Sequence, residues 1–395
     1  LGANTTASYN DALGYNALDA CTTGDSNVAI GSNSLGACTT GAGNTGLGKS
    51  AGASITTGDN NTCIGREAGV AVTTADGNTL VGTTCGDAIT TGASNTAMGH
   101  EAMSTCTTGT ESVAIGRYAL QDMTTATNNT AVGYNAGKDI TTGNNNTCIG
   151  EIAGGAITTA SDLVAIGQNS LSSNTTGANN VAVGVNAVDA CTTGNHLVGI
   201  GYQALSAVTT AQFNIGIGKD AGLLISTGDG NTVIGYHSGD AITTGTYNTC
   251  LGTNSGGGIT TGTYSICIGN STGNSAITGS HNILMGHATG DAVTSGANNV
   301  AIGPSCFTTA TTAAGNVAVG NEALYYQTTS ANNTAVGNGA GKAITTAAGN
   351  VAVGAYSGDA LTTGDGHVVV GYHAGGAMTT NTQCTLIGYE AGDVI

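Results

Sequence analysis

The sequence predicts an all-β chain, a parallel β-solenoid (β-roll) built from 17-residue coils, and three observations carry that prediction. A glycine returns every 17 residues, an aliphatic residue or Met stands directly before each of these glycines, and Thr, Val, Ile, Asn and Gly dominate with no helical spacing of apolar residues. A helical repeat needs about 34 residues per unit. Seventeen residues rich in β-branched side chains suit one turn of stacked strand and corner.

The glycine rank begins at Gly14, Gly31, Gly48 and Gly65 and runs through Gly133, Gly150 and Gly235 to Gly388, 23 glycines without an insertion or deletion. These are candidate structural glycines, marking the corner of each coil. Stacked coils explain the strictness. Each side chain would lie about 4.8 Å from its equivalent in the next coil, so one inserted residue would put every ladder out of register.

Offsets counted from the marker glycine place the other elements. Offset −1 is aliphatic or Met throughout, from Leu13 and Ile30 to Ile387, and −2 is small or aliphatic, as in Ala29, Cys63, Gly199 and Val369. Offset −3 is Thr, Val or Ile apart from Asp11, and Asn dominates −4, as in Asn27, Asn146 and Asn333. Thr pairs fill +8 and +9 nearly everywhere, as in Thr22-Thr23 and Thr141-Thr142. This predicts two short strands per coil, over −4 to −1 and over +7 to +9, joined by glycine-marked corners.

Offsets +4 and +7 compensate for one another. Gly at +4 (Gly52, Gly86, Gly137, Gly154) goes with Ile at +7 (Ile55, Ile89, Ile140, Ile157). A large +4 residue usually goes with a small or polar +7: Leu35 with Cys38, Met103 with Cys106, Leu171 with Asn174, Phe307 with Ala310. Close-packed interiors penalise both voids and overpacking, so the two side chains are expected to fill one volume inside the coil.

A half-buried strand should alternate, yet −3, −2 and −1 are all predominantly apolar or Thr. Both faces of this strand are therefore expected to be covered, one by the coil interior and the other by a second copy of the chain. The frame reaches both termini, with Leu1 at +4 and Ile395 at +7. Residues 1–395 are expected to be a single continuous solenoid of about 23 coils, roughly 110 Å long and uncapped at both ends, hence a segment of a longer chain or filament.

Composition excludes several partners. Six basic against 23 acidic residues give a net charge of −17, which repels nucleic acid. No apolar run approaches the roughly 18 residues of a membrane span, so no membrane insertion is expected. The eleven Cys replace Ala, Ile or Val at presumptive interior offsets and read as small hydrophobes carrying free thiols. Residues 43–50 match the phosphate-loop pattern, but that motif works only between a strand and a helix, and the repeat itself explains every residue except Lys49. The seven His (100, 196, 237, 281, 287, 367 and 373) fall at +1, +2, +12 and +13, read as exposed corners, and form no triad or metal spacing. Asp at +5 and +11 reads as solvated corners. No catalytic residue, cofactor site or metal site is assigned.

One offset carries candidate binding residues. Tyr15, Tyr134, Tyr202, Tyr236, Tyr372 and Tyr389 all stand at +1, a corner shared with Lys49, Arg66, Arg117 and Lys219. Exposed tyrosines offer contact area at low entropic cost and suit a glycan or a host receptor.

The phrases Asn-Thr-Ala-Val-Gly-Tyr-Asn-Ala-Gly at 129–137 and Ser-Val-Ala-Ile-Gly at 112–116 resemble the head repeats of YadA-like trimeric autotransporter adhesins and similar repeats in phage tail fibres. The resemblance covers essentially the whole chain. It departs in period, 17 here against a shorter adhesin repeat, and in the added Thr pair. The resemblance implies a homotrimeric fibre outside the cell, on a cell surface or on a virion, used for attachment and not for catalysis. The alternative drawn from the residues is an ice-binding solenoid using its Thr ladders. An acyltransferase-type β-helix is disfavoured, because a six-residue subperiod and a catalytic His are lacking.

Overall fold

A computed structural model describes residues 2–393. The positions of Leu1 and Ile395 in the 17-residue frame lie outside the described residues. The chain is a parallel β-solenoid that falls into two compact units, Leu1–His196 and Leu197–Ile395. Among the described residues the first unit carries eleven strands, from Asp11–Leu13 to Val181–Val183, and the second twelve, from Val198–Ile200 to Thr385–Ile387. Every strand is three residues long and occupies −3 to −1. Within each unit, neighbouring strands pair in parallel with no register shift, as Val28 with Thr45, Ala29 with Gly46 and Ile30 with Leu47.

The marker glycines explain the strictness of the period at atomic level. Gly31 has φ +127°, and a methyl group on it would lie 2.4 Å from the carbonyl oxygen of Gly48. Gly48, with φ +137°, meets Gly65 in the same way. Backbone conformation and the close approach of the next coil therefore exclude any side chain at this corner.

The predicted second strand is absent as a strand. The backbone over +7 to +9 does bond from coil to coil, but the carbonyl at +8 takes several donors at once. The Thr39 oxygen accepts the N–H of Thr22 at 2.9 Å, the N–H of Thr23 at 3.2 Å and the Thr22 hydroxyl at 3.1 Å. Two successive N–H groups turned toward one acceptor cannot alternate as a ladder requires, so the segment bends instead of extending.

The interior confirms the shared volume and adds a third contributor. A methyl group on Gly52 would fall 2.9 Å from Cδ1 of its own coil's Ile55 and 2.8 Å from Cδ2 of Leu35 in the preceding coil. A methyl group on Gly46, at −2, would fall 2.9 Å from Cγ of Leu35, and one on Gly216 2.7 Å from Cγ of Leu205. Offsets −2, +4 and +7 thus fill one space together. Leu205 and Val208 are both fully buried, and the glycine at −2 leaves Leu205 its room.

Asn at −4 is interior, not corner. Asn44 is fully buried; its Nδ2 donates to the Gly58 carbonyl at 2.8 Å, and its Oδ1 accepts the Asn61 N–H at 2.9 Å. The same pattern recurs at Asn231, Asn299 and Asn333. It satisfies backbone groups that the corner at +10 would otherwise bury unpaired. Where Leu163 takes this place, Asn174 substitutes from +7 and donates to the Gly177 carbonyl at 2.8 Å.

His367 corrects an expectation. Offset +13 of one coil is −4 of the next, and His367 is fully buried there in place of Asn. Its N–H donates to Asn350 Oδ1 at 2.9 Å, its Nε2 pairs with the Asn381 carbonyl at 2.6 Å, and its Nδ1 accepts the Cys384 N–H at 3.2 Å.

Candidate functional surface

Since each strand is only three residues long, its side chains sort cleanly by face. Offset −2 points inward and is almost everywhere buried, whereas −3 and −1 both face outward, −3 half-buried and −1 half-buried to exposed from coil to coil. Within one chain the coil interior therefore covers one face of the strand, and the other face is left uncovered. Ile30, Met98, Ile115 and Ile149 in the first unit, and Ile200, Ile234 and Ile302 in the second, are 37–43% exposed. Each unit thus presents a row of aliphatic or Met side chains, one per coil, flanked by a row of Thr, Val and Ile at −3.

The Thr pair splits between two roles. The +8 hydroxyls point along the coil stack and donate to the next coil's carbonyl, as Thr39 to Thr56 at 3.1 Å and Thr141 to Thr158 at 3.0 Å. The +9 residues, Thr23, Thr40 and their equivalents, are exposed. One free hydroxyl rank remains on that side.

The six +1 tyrosines are exposed. Tyr15 and Tyr134 lie in the first unit and the other four in the second. Tyr134 approaches Tyr118 at 6.2 Å between ring centroids, and Tyr372 stacks on Tyr389 at 5.3 Å. Tyr202 and Tyr236 flank Lys219, whose Nζ lies 5.9 and 5.5 Å from the two ring centroids. Beside them His237 bridges two carboxylates, Asp240 Oδ2 at 2.8 Å and Asp220 Oδ2 at 3.4 Å.

Asp at +11 has a structural use that its solvated reading missed. The carboxylate of Asp59 accepts the Ala42 N–H at 2.8 Å, and that of Asp229 accepts the Gln212 N–H at 2.7 Å, capping the corner of the preceding coil. Asp87 and Asp189, at +5, each bury one carboxylate oxygen without a hydrogen-bond partner, and desolvation raises both above the ordinary carboxylate range. Among the described residues no group of three or more His, Cys, Asp or Glu is placed to hold a metal ion, and no helix is long and apolar enough to cross a membrane. Residues 43–50 pass through the strand Thr45–Leu47 into a turn, without the helix a phosphate loop requires.

Sequence reasoning missed a second aromatic rank. At +12 the rings of Tyr247 and Tyr264 stack at 5.1 Å, and those of Tyr264 and His281 at 5.2 Å, nearly parallel in both cases. The signal was present as a run of aromatic residues at one offset, hidden because +12 is elsewhere mostly Asn, Gly or Ser. No protein-family model and no curated protein matches the chain.

Proposed function

We propose that the protein is a structural, adhesive fibre segment that associates with copies of itself, as a homotrimer, and works outside the cell without catalysis. The observation that supports this reading is the outward aliphatic row at −1, repeated in coil after coil. Monomeric proteins rarely leave so long a contiguous apolar surface to water. The adhesin-like coil phrases supply the number three, and the +1 tyrosines supply candidate contacts to a surface glycan or host receptor. Sedimentation equilibrium tests the assembly. A mass three times the 38.0 kDa of the chain is expected, and Ile115→Asp with Ile149→Asp should shift it toward the monomer without changing the far-ultraviolet spectrum. A monomeric parent protein would overturn the proposal.

Ice binding draws less support. An ice-binding face wants adjacent ranks of free hydroxyls, and here the +8 rank is engaged with carbonyls, leaving +9 alone. Thermal hysteresis of the purified protein would restore that reading.

A further inference from the structure

We infer that the second unit carries a binding site for a neutral polysaccharide chain along Tyr247, Tyr264 and His281, a site separate from the +1 tyrosines and independent of the fibre reading.

The first observation is conformational. Tyr247, Tyr264 and His281 have φ of +56°, +54° and +61°, the left-handed region that disfavours bulky L-residues. The same corner is filled elsewhere mostly by residues suited to it, such as Gly43, Asn60, Gly77, Asn128 and Asn298; Tyr9, His196 and Phe213 also take it, but only Tyr247, Tyr264 and His281 put rings there in three successive coils. The aromatic run has no share in the interior, because both tyrosines are 53% exposed. Strain retained at exposed positions where an unstrained residue would serve the fold points to use at the surface.

The second observation is the geometry of the stack. Centroids 5.1 Å apart, with rings in contact at about 3.5–4 Å, require neighbouring rings to slip by roughly 3–4 Å past one another. The rings therefore overlap like shingles, and each leaves a strip of its face uncovered. Tyr247 leans over Gly230, where a methyl group would lie 2.6 Å from the ring. The inclination thus starts one coil earlier.

The surroundings identify the chemistry. Thr246, Thr263 and Ser280 precede the three rings, and no Asp, Glu, Lys or Arg stands between +9 and +13 in these coils; the acidic residue one coil earlier, Asp229, has its carboxylate engaged with the Gln212 N–H at 2.7 Å. Partial aromatic faces beside hydroxyls, without charge, match a sugar ring with its apolar C–H face and hydroxyl rim. No cavity accompanies them, so a single sugar would find no enclosure. A surface that repeats once per coil instead suits a ligand that itself repeats, an extended polymer lying along the stack.

Native affinity electrophoresis through gels containing hydroxyethyl cellulose, galactomannan or laminarin tests the inference. At least one should retard the protein. Tyr247→Asn with Tyr264→Asn should raise the polysaccharide concentration for half-retardation at least tenfold, and because Asn accepts positive φ the variant should keep its spectrum and Tm. Tyr134→Asn with Tyr372→Asn, at +1, should leave retardation unchanged. The inference is overturned if none of the three polysaccharides retards the protein, if retardation survives the Tyr247 and Tyr264 changes, or if the +1 pair abolishes it instead.

Discussion

Cysteine at an interior offset is chemically silent for a reason that can be measured. Burial pushes the thiols of Cys63, Cys85, Cys148 and Cys306 up to about 12, and those of Cys38, Cys106 and Cys191 up to about 11. An unfolded thiol titrates near about 8.5, so the folded state holds these protons more tightly than the unfolded one. Their contribution to stability is fully present below about pH 8.5 and is lost as pH rises through the folded values, at roughly 1.4 kcal/mol per thiol per pH unit. Tm should stay level between pH 6 and 8 and fall between 9 and 11, and Cys63→Ala with Cys148→Ala should flatten that fall; an identical slope would refute the assignment. The +7 thiols also face a carbonyl, as Cys38 Sγ does that of Gly41 at 3.4 Å. The sequence placed these cysteines inside correctly because they alternate with Ala, Ile and Val. It placed His367 outside, since a polar residue at a corner offset reads as solvated and only the buried Asn ladder shows otherwise.

At the scale of one coil, the compensation between +4 and +7 was legible because both partners vary visibly from coil to coil. The third partner at −2 was not, since its variation among Ala, Gly, Cys and Leu looks like ordinary tolerance. Cys106→Ile, with Met103 kept, should overpack the coil and cost about 1–3 kcal/mol, read as a lower Tm. Met103→Gly with Cys106→Ile rebuilds the arrangement of Gly137 and Ile140 and should recover most of the loss; no recovery would show that the volume is not shared. The Asn ladder allows a sharper test. Asn44→Ala strands the Gly58 carbonyl and the Asn61 N–H in the interior, and two unpaired groups at about 1–3 kcal/mol each predict a loss of roughly 2–6 kcal/mol. Asn44→Ser should lose less, because Ser112 accepts the Asn129 N–H at 3.2 Å in the equivalent place. The coil that begins at Gly269 shows how the period survives a local slip. Its interior Ile277 stands at +8, paired with Ile259 at +7 of the coil before, and the loss of one Thr restores the frame at Gly279. The sequence also predicted two strands where there is one, because β-propensity at +7 to +9 says nothing about two N–H groups converging on a single carbonyl.

Across the whole molecule two surface properties oppose each other. The −1 rows favour association through burial of aliphatic area, whereas a net charge of −17 makes every copy repel the next. The strand face itself carries almost none of that charge, since Asp11 is the one charged residue at −3 to −1 in the 23 coils. Acidic residues sit at the corners instead, chiefly +2, +5 and +11, so they act on an approaching copy through solvent and not through contact. Repulsion of that kind is screened over about 30 Å at 0.01 M salt and over about 3 Å at 1 M, while apolar burial is not weakened by added salt. The weight-average mass at neutral pH should therefore rise with sodium chloride, and rise again as pH falls toward the isoelectric point near 4.3. Association through ion pairs would do the reverse and weaken with salt. Sedimentation equilibrium across a salt series separates the two, and a mass that falls as salt is added would rule out the aliphatic face as the driver of the proposed association.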